Sequence, residues 1–201
     1  MHGAAGAANG ERTDARDKET TTTTTMNSAD YAETLSALMR ELVDGSPDPA
    51  AGTYMLNRGD EGLLTSLDRL SAAAASASIA GGGSIAAHTD HIRYGLALLN
   101  RWTRGEAEPW KGADWTQSWK RPVVSEGEWR DLRGGLRRET HDWIDALATP
   151  REMRGAALMW VTGSVAHLAY HLGAIRQIDR AARGPTAEDE RRVEETLRSN
   201  S

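Results

Sequence analysis

Two histidines four residues apart on an apolar helical stripe constrain this 201-residue chain more than any other feature. His167 and His171 lie in the stretch GSVAHLAYHLGAIRQI, which spans residues 163–178. Residues four apart on a helix share one face, and the surrounding stripe keeps the same phase: Met153, Ala157, Trp160, Ser164, Leu168, Ile175 and Ile178. We therefore expect a helix that turns both imidazoles inward. A buried imidazole needs a polar partner, which is either a metal ion or a hydrogen bond within the core.

A second apolar stretch supplies two further histidines. Residues 84–102 read SIAAHTDHIRYGLALLNRW, with His88 and His91 three residues apart and with aliphatic residues in helical phase around them. Two such helices packed side by side would bring histidines from both stretches together. Three imidazoles could then hold one metal ion and leave one coordination position open.

Composition narrows the class of protein. The chain has no cysteine, which excludes disulfides, cysteine-ligated zinc and a cysteine nucleophile, and which fits a reducing cytoplasm. A net charge of −5 without a basic stripe argues against nucleic-acid binding, and no apolar run approaches the length of a membrane span. Arginine outnumbers lysine 21 to 3, which together with abundant alanine and glycine suggests a GC-rich bacterial genome.

The chain divides into three parts. Residues 1–25 have no apolar periodicity and are predicted to be disordered, residues 26–183 form the helical domain, and residues 184–201 are a polar tail. Start and stop signals predict helices over residues 28–43, 60–76 and 85–103, a fourth from the Ser125/Glu128 capping box, and a last one from Thr149-Pro150 to about Ala182. The connection over residues 104–124 holds Trp110, Trp115 and Trp119, as either a cap on the helices or a substrate clamp.

The stretch around His167 and His171 resembles the C-terminal signature of the DinB/YfiT-like family. In that signature His-x-x-x-His-x-Gly-Gln is followed by an aliphatic residue and an arginine. The matching residues here are His167, His171, Gly173, Ile175 and Arg176, whereas Ala174 stands in place of the glutamine.

The earlier stretch is similar to that family's preceding helix, where a serine or threonine at the helix start lies two turns before the metal-binding histidine. Ser84 and His91 have this spacing. The resemblance, which covers roughly residues 28–182, implies an all-α four-helix bundle that holds one divalent metal ion through His91, His167 and His171. His88 is then a neighbour of the site and not a ligand. Imidazole ligands suit zinc or nickel.

The resemblance also bears on activity. Characterised members of the family include transferases and isomerases that use a low-molecular-weight thiol, and members are often dimers, so a second copy of the chain is a candidate partner. Our first hypothesis is a metal-dependent transferase acting on a small-molecule substrate with such a thiol. A metal-dependent hydrolase and a non-catalytic metal-binding stress-response protein are the alternatives. Asp114, Glu128, Glu139 and Tyr170 are candidate acid–base groups among which the sequence does not choose.

Overall fold

The computed structural model describes residues 27–46 and 52–199, and these residues form helices and their connections without a β-strand. The all-α class predicted from the sequence is thereby confirmed. The helices are α1 Ser28–Asp44, α2 Gly62–Asp68, α3 Ala72–Ser76, α4 Ile85–Thr103, α5 Glu126–Ala148, α6 Ala156–Ile178 and α7 Ala187–Ser199, with 3₁₀ turns at Gln117–Trp119 and Arg180–Ala182. The predicted disordered segment 1–25 lies outside the described residues.

Four long helices pack around one apolar core. Helix α1 packs against α5 and α6, and α4 also packs against α5 and α6. The largest side chains that this packing removes from water are Met39, Leu42, Leu63, Leu67, Ile85, Ile92, Trp129, Leu136, Trp143, Ile144, Leu168 and Ile175. Because the hydrophobic effect grows with the apolar area buried, these side chains fix which faces of α4 and α6 meet. The histidine-bearing stretches therefore lie side by side.

Helix starts with a side-chain cap agree with the sequence prediction. The Ser84 hydroxyl accepts a hydrogen bond from the Ala87 N–H and so begins α4 where it was predicted. At α5 the Ser125 hydroxyl and the Glu128 carboxylate form the predicted reciprocal capping box. Local hydrogen bonds decide these two boundaries, so the sequence suffices to place them.

The prediction of one continuous helix over residues 60–76 is wrong, because this segment forms two separate helices, α2 and α3. The break is held by groups from α5. The Trp129 Nε1–H donates to the carbonyl of Leu70 at 2.8 Å, and the Glu126 carboxylate accepts the Ala72 N–H at 2.9 Å. Ser71 then caps α3 through the Ala74 N–H. Hydrogen bonds from another helix replace those that a continuous helix would make.

The predicted start of the last helix at Thr149-Pro150 is also wrong. Thr149 instead ends α5, because its N–H bonds to the Ala146 carbonyl and its hydroxyl donates to the Asp145 carbonyl at 3.3 Å. Residues 150–154, which follow Thr149, are not helical. Helix α6 begins at Ala156, after Gly155 turns the chain with φ at +56°. It ends at Ile178, four residues before the predicted end, and the Arg180–Ala182 turn follows.

A buried ion pair ties the end of α6 to the segment that precedes α2. An Nη of Arg176 lies 2.7 Å from the Asp60 carboxylate, and only 2% of the Asp60 side chain is exposed. The same carboxylate accepts the N–H of Gly62. Gly184 packs directly on Asp60, where a Cβ would collide with the carboxylate.

The polar tail predicted from residue 184 contains α7, whose start is capped by Thr186 and Asp189. Asn57 donates to the carbonyl of Pro185 at 2.7 Å, which fixes the first part of this segment to the domain. No helix within residues 27–46 and 52–199 combines the length and apolar character that crossing a membrane requires.

Candidate metal centre

Three histidine side chains from α4 and α6 point one nitrogen each at a common centre. Nε2 of His171 lies 2.9 Å from Nε2 of His167, and Nε2 of His167 lies 3.3 Å from Nε2 of His91. All three donor atoms fall within 4.8 Å of one another. Tetrahedral zinc with Zn–N bonds of about 2.0–2.1 Å separates its ligand nitrogens by about 3.3 Å. The three histidines predicted from the sequence are therefore close enough to hold one metal ion.

A hydroxyl from the tryptophan-bearing connection sets the tautomer of His91. Ser118 donates its proton to the carbonyl of Trp115 at 2.7 Å, so its oxygen is left to accept. The partner is Nδ1 of His91, at 2.9 Å, which must carry the imidazole proton. Nε2 of His91 consequently presents a lone pair to the other two histidines. Hydrogen bonds of this kind orient metal-ligating imidazoles in proteins.

His88 is the hydrogen-bond partner of His171 on the side of its ring away from the other two histidines. The Nδ1 atoms of the two rings lie 2.8 Å apart. A proton on Nδ1 of His171 satisfies this contact and leaves Nε2 of His171 free as a donor to a metal. His88 therefore lies behind the site, in keeping with the expectation from the resemblance that it is a neighbour of the site.

Burial keeps the cluster uncharged. Desolvation lowers the pKa of His171 to about 3, and repulsion from His167, His88 and His91 adds to this. Desolvation likewise lowers the pKa of His91 to about 4, followed by repulsion from His167 and His88 and opposed by Asp90. The pKa values of His88 and His167 are lowered by burial as well. At neutral pH these side chains are neutral bases, which is the form that binds metal.

The predicted burial of both α6 imidazoles holds for only one of them. His171 is 2% exposed, whereas His167 remains partly exposed at the edge of the cluster. The difference arises because the neighbouring stretch of α6 borders a cavity instead of another helix. His167 is thus the histidine that a molecule arriving from outside would meet first.

The connection between α4 and α5 lies directly against the histidines. The Trp119 ring stacks on His91 with 4.4 Å between ring centres and meets His88 edge-on at 5.1 Å. Trp115 lies 5.8 Å from His91 and packs edge-on against Tyr94. These rings exclude water from one side of the cluster, which strengthens electrostatic interactions there.

Polar contacts with α4 hold this connection in place. The hydroxyl of Ser84 donates to the carbonyl of Pro122 at 2.6 Å, so the residue that begins α4 also fixes the loop. Asp90, which is buried, pairs with Arg93 on its own helix at 2.8 Å and with Arg121 of the loop at 3.4 Å. The loop is consequently built onto the helix that carries His91.

A cavity of 330 Å³ opens beside His167, between α4, α6 and the same connection. Its wall includes Trp110 and Trp115 from the connection and Trp160 from α6. Trp110 packs on Trp160 with 3.9 Å between ring centres. The cluster therefore has an approach for a small molecule on the side that Trp119 does not cover.

The four candidate acid–base residues separate into two groups. Tyr170 packs edge-on against His171 at 5.0 Å between ring centres. Asp114 accepts the Gln117 N–H, Glu128 belongs to the α5 cap, and Glu139 accepts from Asn100 across α4 and α5. Those three carboxylates make hydrogen bonds that hold the loop and the helices in place, whereas Tyr170 lies at the histidine cluster.

His141 lies apart from the cluster, as its position off the apolar stripe predicts. Its Nε2 is 3.0 Å from the Asp44 carboxylate at a half-exposed site. Ser118 and Asp90 contribute to the centre although sequence reasoning did not select them. A serine between two tryptophans carries no spacing signal for a metal site, and the carboxylate next to His91 supports the loop without contacting the metal-facing nitrogens.

No protein family, no curated protein and no solved structure matched the chain. The centre itself offers three imidazoles, neutral at neutral pH, whose converging nitrogens lie beside an aromatic-walled cavity.

Proposed function

We propose that this chain is a DinB/YfiT-like four-helix bundle with a mononuclear zinc or nickel centre at His91, His167 and His171. The observation that carries the proposal is the convergence of three imidazole nitrogens next to an accessible cavity. Nδ1 of His91 and Nδ1 of His171 have hydrogen-bond partners of their own, so Nε2 of each of these rings can present a lone pair, and a divalent ion would bind the three converging nitrogens. The ring of α1, α5, α4 and α6 supports the bundle assignment.

The reaction that we propose joins a small-molecule thiol to an electrophilic acceptor. A divalent ion at this site would lower the pKa of a thiol that reached its open position. The chain has no cysteine, so the sulfur must come from outside. The thiol gives its proton to solvent and its sulfur supplies the electron pair of the new carbon–sulfur bond. The leaving group departs from the acceptor with the pair of the bond that breaks.

The protein's own residues prepare this step. Ser118 and His88 hold the tautomers of His91 and His171, so no ligand needs to reorient. Trp119 shields the buried side of the cluster, and the partly exposed His167 faces the incoming molecules. Preorganised groups in a poorly hydrated site stabilise developing charge better than groups that must reorganise.

Metal analysis of the full-length protein tests the centre. We expect a near-stoichiometric amount of zinc or nickel after purification, and loss of most of it in His91→Ala, His167→Ala and His171→Ala. His141→Ala is the matched control, because this histidine lies at a half-exposed site paired with Asp44 and should keep the metal. Equal metal content in all four variants would refute the site.

A kinetic assay then tests the reaction class. Metal-loaded protein should accelerate the reaction of L-cysteine with 1-chloro-2,4-dinitrobenzene, which releases chloride, and His167→Ala should abolish the gain. Turnover of an activated ester without any thiol would instead identify the hydrolase, whose water uses the same charge. Binding of metal without turnover of either substrate would identify a non-catalytic metal-binding protein.

A further inference from the structure

The cavity beside His167 has the size of a small organic ligand. Its volume is 330 Å³, whereas a dry apolar cavity of about 150 Å³ already holds one benzene molecule. Aliphatic side chains of α4, among them Ile92 and Leu96, form one wall, and Trp160 and Leu168 of α6 form the opposite wall. The space therefore accommodates one or two flat rings between apolar surfaces.

The polarity of the wall restricts the ligand further. No aspartate, glutamate, lysine or arginine is among the lining residues that the structure describes. The hydroxyl of Ser164 is already used, because it donates to the Val161 carbonyl at 2.7 Å and accepts the Trp143 Nε1–H at 2.9 Å. His167 is left as the lining side chain with a ring nitrogen that can accept a hydrogen bond, and the tryptophans offer only indole N–H donors. A charged ligand would lose its hydration without gaining a partner along most of this wall.

Glycines on the two facing helices leave the space open. Gly95 of α4 and Gly163 of α6 both line the cavity. A Cβ on Gly95 would lie 3.6 Å from the Trp115 ring, in ordinary contact, whereas a Cβ on Gly163 would meet no atom within 4 Å. A side chain at residue 163 would consequently enter empty space without disturbing the fold.

We propose that this cavity binds an uncharged, largely apolar molecule of one or two rings and presents one polar atom of it to the histidine cluster. This assignment rests on the proposed function in one respect, because it takes the bound molecule to be the acceptor for the thiol. Binding itself depends on the cavity wall and not on the metal. The three tryptophans supply flat apolar surfaces on which such rings pack, and orientation comes from the one polar end.

Titration calorimetry with 2-naphthalenemethanol and with 2-naphthoate tests the assignment, since the two probes share a ring system and differ in charge. We expect chelator-treated wild-type protein to bind the alcohol at least tenfold more tightly than the anion, because an unpaired carboxylate resists burial. Gly163→Leu should weaken binding of the alcohol about tenfold or more by filling the cavity. The matched control is Gly173→Leu, since Gly173 is an exposed residue of the same helix, also with open space around its Cβ, and lies outside the cavity.

The possible outcomes distinguish a failure of the cavity assignment from a failure of the proposed metal site. Equal weakening by both leucine variants, tighter binding of the anion without metal, or no binding of the alcohol would overturn the assignment even if metal analysis succeeds. Binding of the alcohol that Gly163→Leu removes, in protein that never takes up metal, would keep the apolar site and refute the proposed catalysis. Binding that weakens as protein concentration rises would show that a second copy of the chain occupies the cavity, and would also overturn it.

Discussion

Two of the places where the protein buries polar side chains between its helices are built on opposite principles. At Asp60 and Arg176 the groups carry opposite charges and satisfy each other at 2.7 Å. At the histidine cluster, neutral bases of one kind face one another, and repulsion among their charged forms adds to the burial that lowers the pKa of His171 to about 3. In the first arrangement the two charges neutralise each other, although Oδ2 of Asp60 and Nε of Arg176 have no hydrogen-bond partner among the described residues. In the second, the three imidazoles lie close enough together to bind a cation.

The surroundings of the two places differ in the same way. Gly184 packs on the Asp60 carboxylate so closely that no side chain fits between them. The histidine cluster borders a cavity of 330 Å³, and one of its members is partly exposed. Removing one partner of a closed and neutralised pair leaves a buried charge uncompensated and destabilises the fold, whereas an open and unneutralised cluster costs stability unless it binds something. Changes at the two places should therefore have opposite consequences.

The largest expected effect follows from removing the charge partner of Asp60. Arg176→Met leaves a buried carboxylate without its cation, so the free energy of unfolding should fall by about 3 kcal/mol. Urea unfolding measures this, and metal content should stay at the wild-type level. Arg137→Met removes a similar cation from Asp68 at a pair whose two side chains are each 45% exposed, and should cost less than about 1 kcal/mol. Similar losses in the two variants would mean that the Asp60 pair is not a structural element.

The next effect should appear where the histidine cluster depends on a neighbouring hydroxyl. Ser118→Ala removes the acceptor that keeps the proton of His91 on Nδ1. Metal affinity should drop about tenfold, the lower end of what such supporting hydrogen bonds contribute. Competition with a chromophoric chelator measures the affinity. Thr116→Ala is the control, since Thr116 is exposed in the same loop; an equal drop there would point to loop disorder instead of a lost hydrogen bond.

The smallest effect has the opposite sign. His171→Leu exchanges a desolvated base for an apolar side chain of similar size, so metal-free protein should gain about 0.5–1 kcal/mol in the free energy of unfolding. The comparison needs excess chelator, because metal-loaded wild-type protein is additionally stabilised by its ion. A loss of more than about 1 kcal/mol would show that His171 is a packing residue of the core, like Ile175 one turn later.

Some features of the fold and of the histidine cluster could be predicted from the sequence, and others could not. Helix α4 was predicted with its true bounds because Ser84 caps it locally. His167 and His171 were predicted because helical spacing puts them on one face, and His91 was chosen over His88 from the resemblance to the DinB/YfiT-like family; the three lie close together. The start of α6 was mispredicted because Thr149 bonds back into α5. The role of Ser118 was out of reach, since its contact with His91 joins residues 27 positions apart through the path of a loop. The caps at Ser84 and Ser125 could be predicted from local sequence, whereas the competing local bonds of Thr149 and the contact of Ser118 with His91 could not.

The separation of His91 from His167 along the chain has a topological consequence. The two residues are 76 positions apart, so an ion bound between them closes a loop that contains all of α5. The chain has no cysteine and so no disulfide, and the ion would be the cross-link between the histidines proposed to bind it. A permanent link over a loop of this length restricts the unfolded chain by about 4 kcal/mol in the polymer estimate used for disulfides. Helices α4 and α6 could then separate only after a bond between the metal and one of its histidines had broken. The lifetime of the folded state would therefore depend on how slowly the metal dissociates.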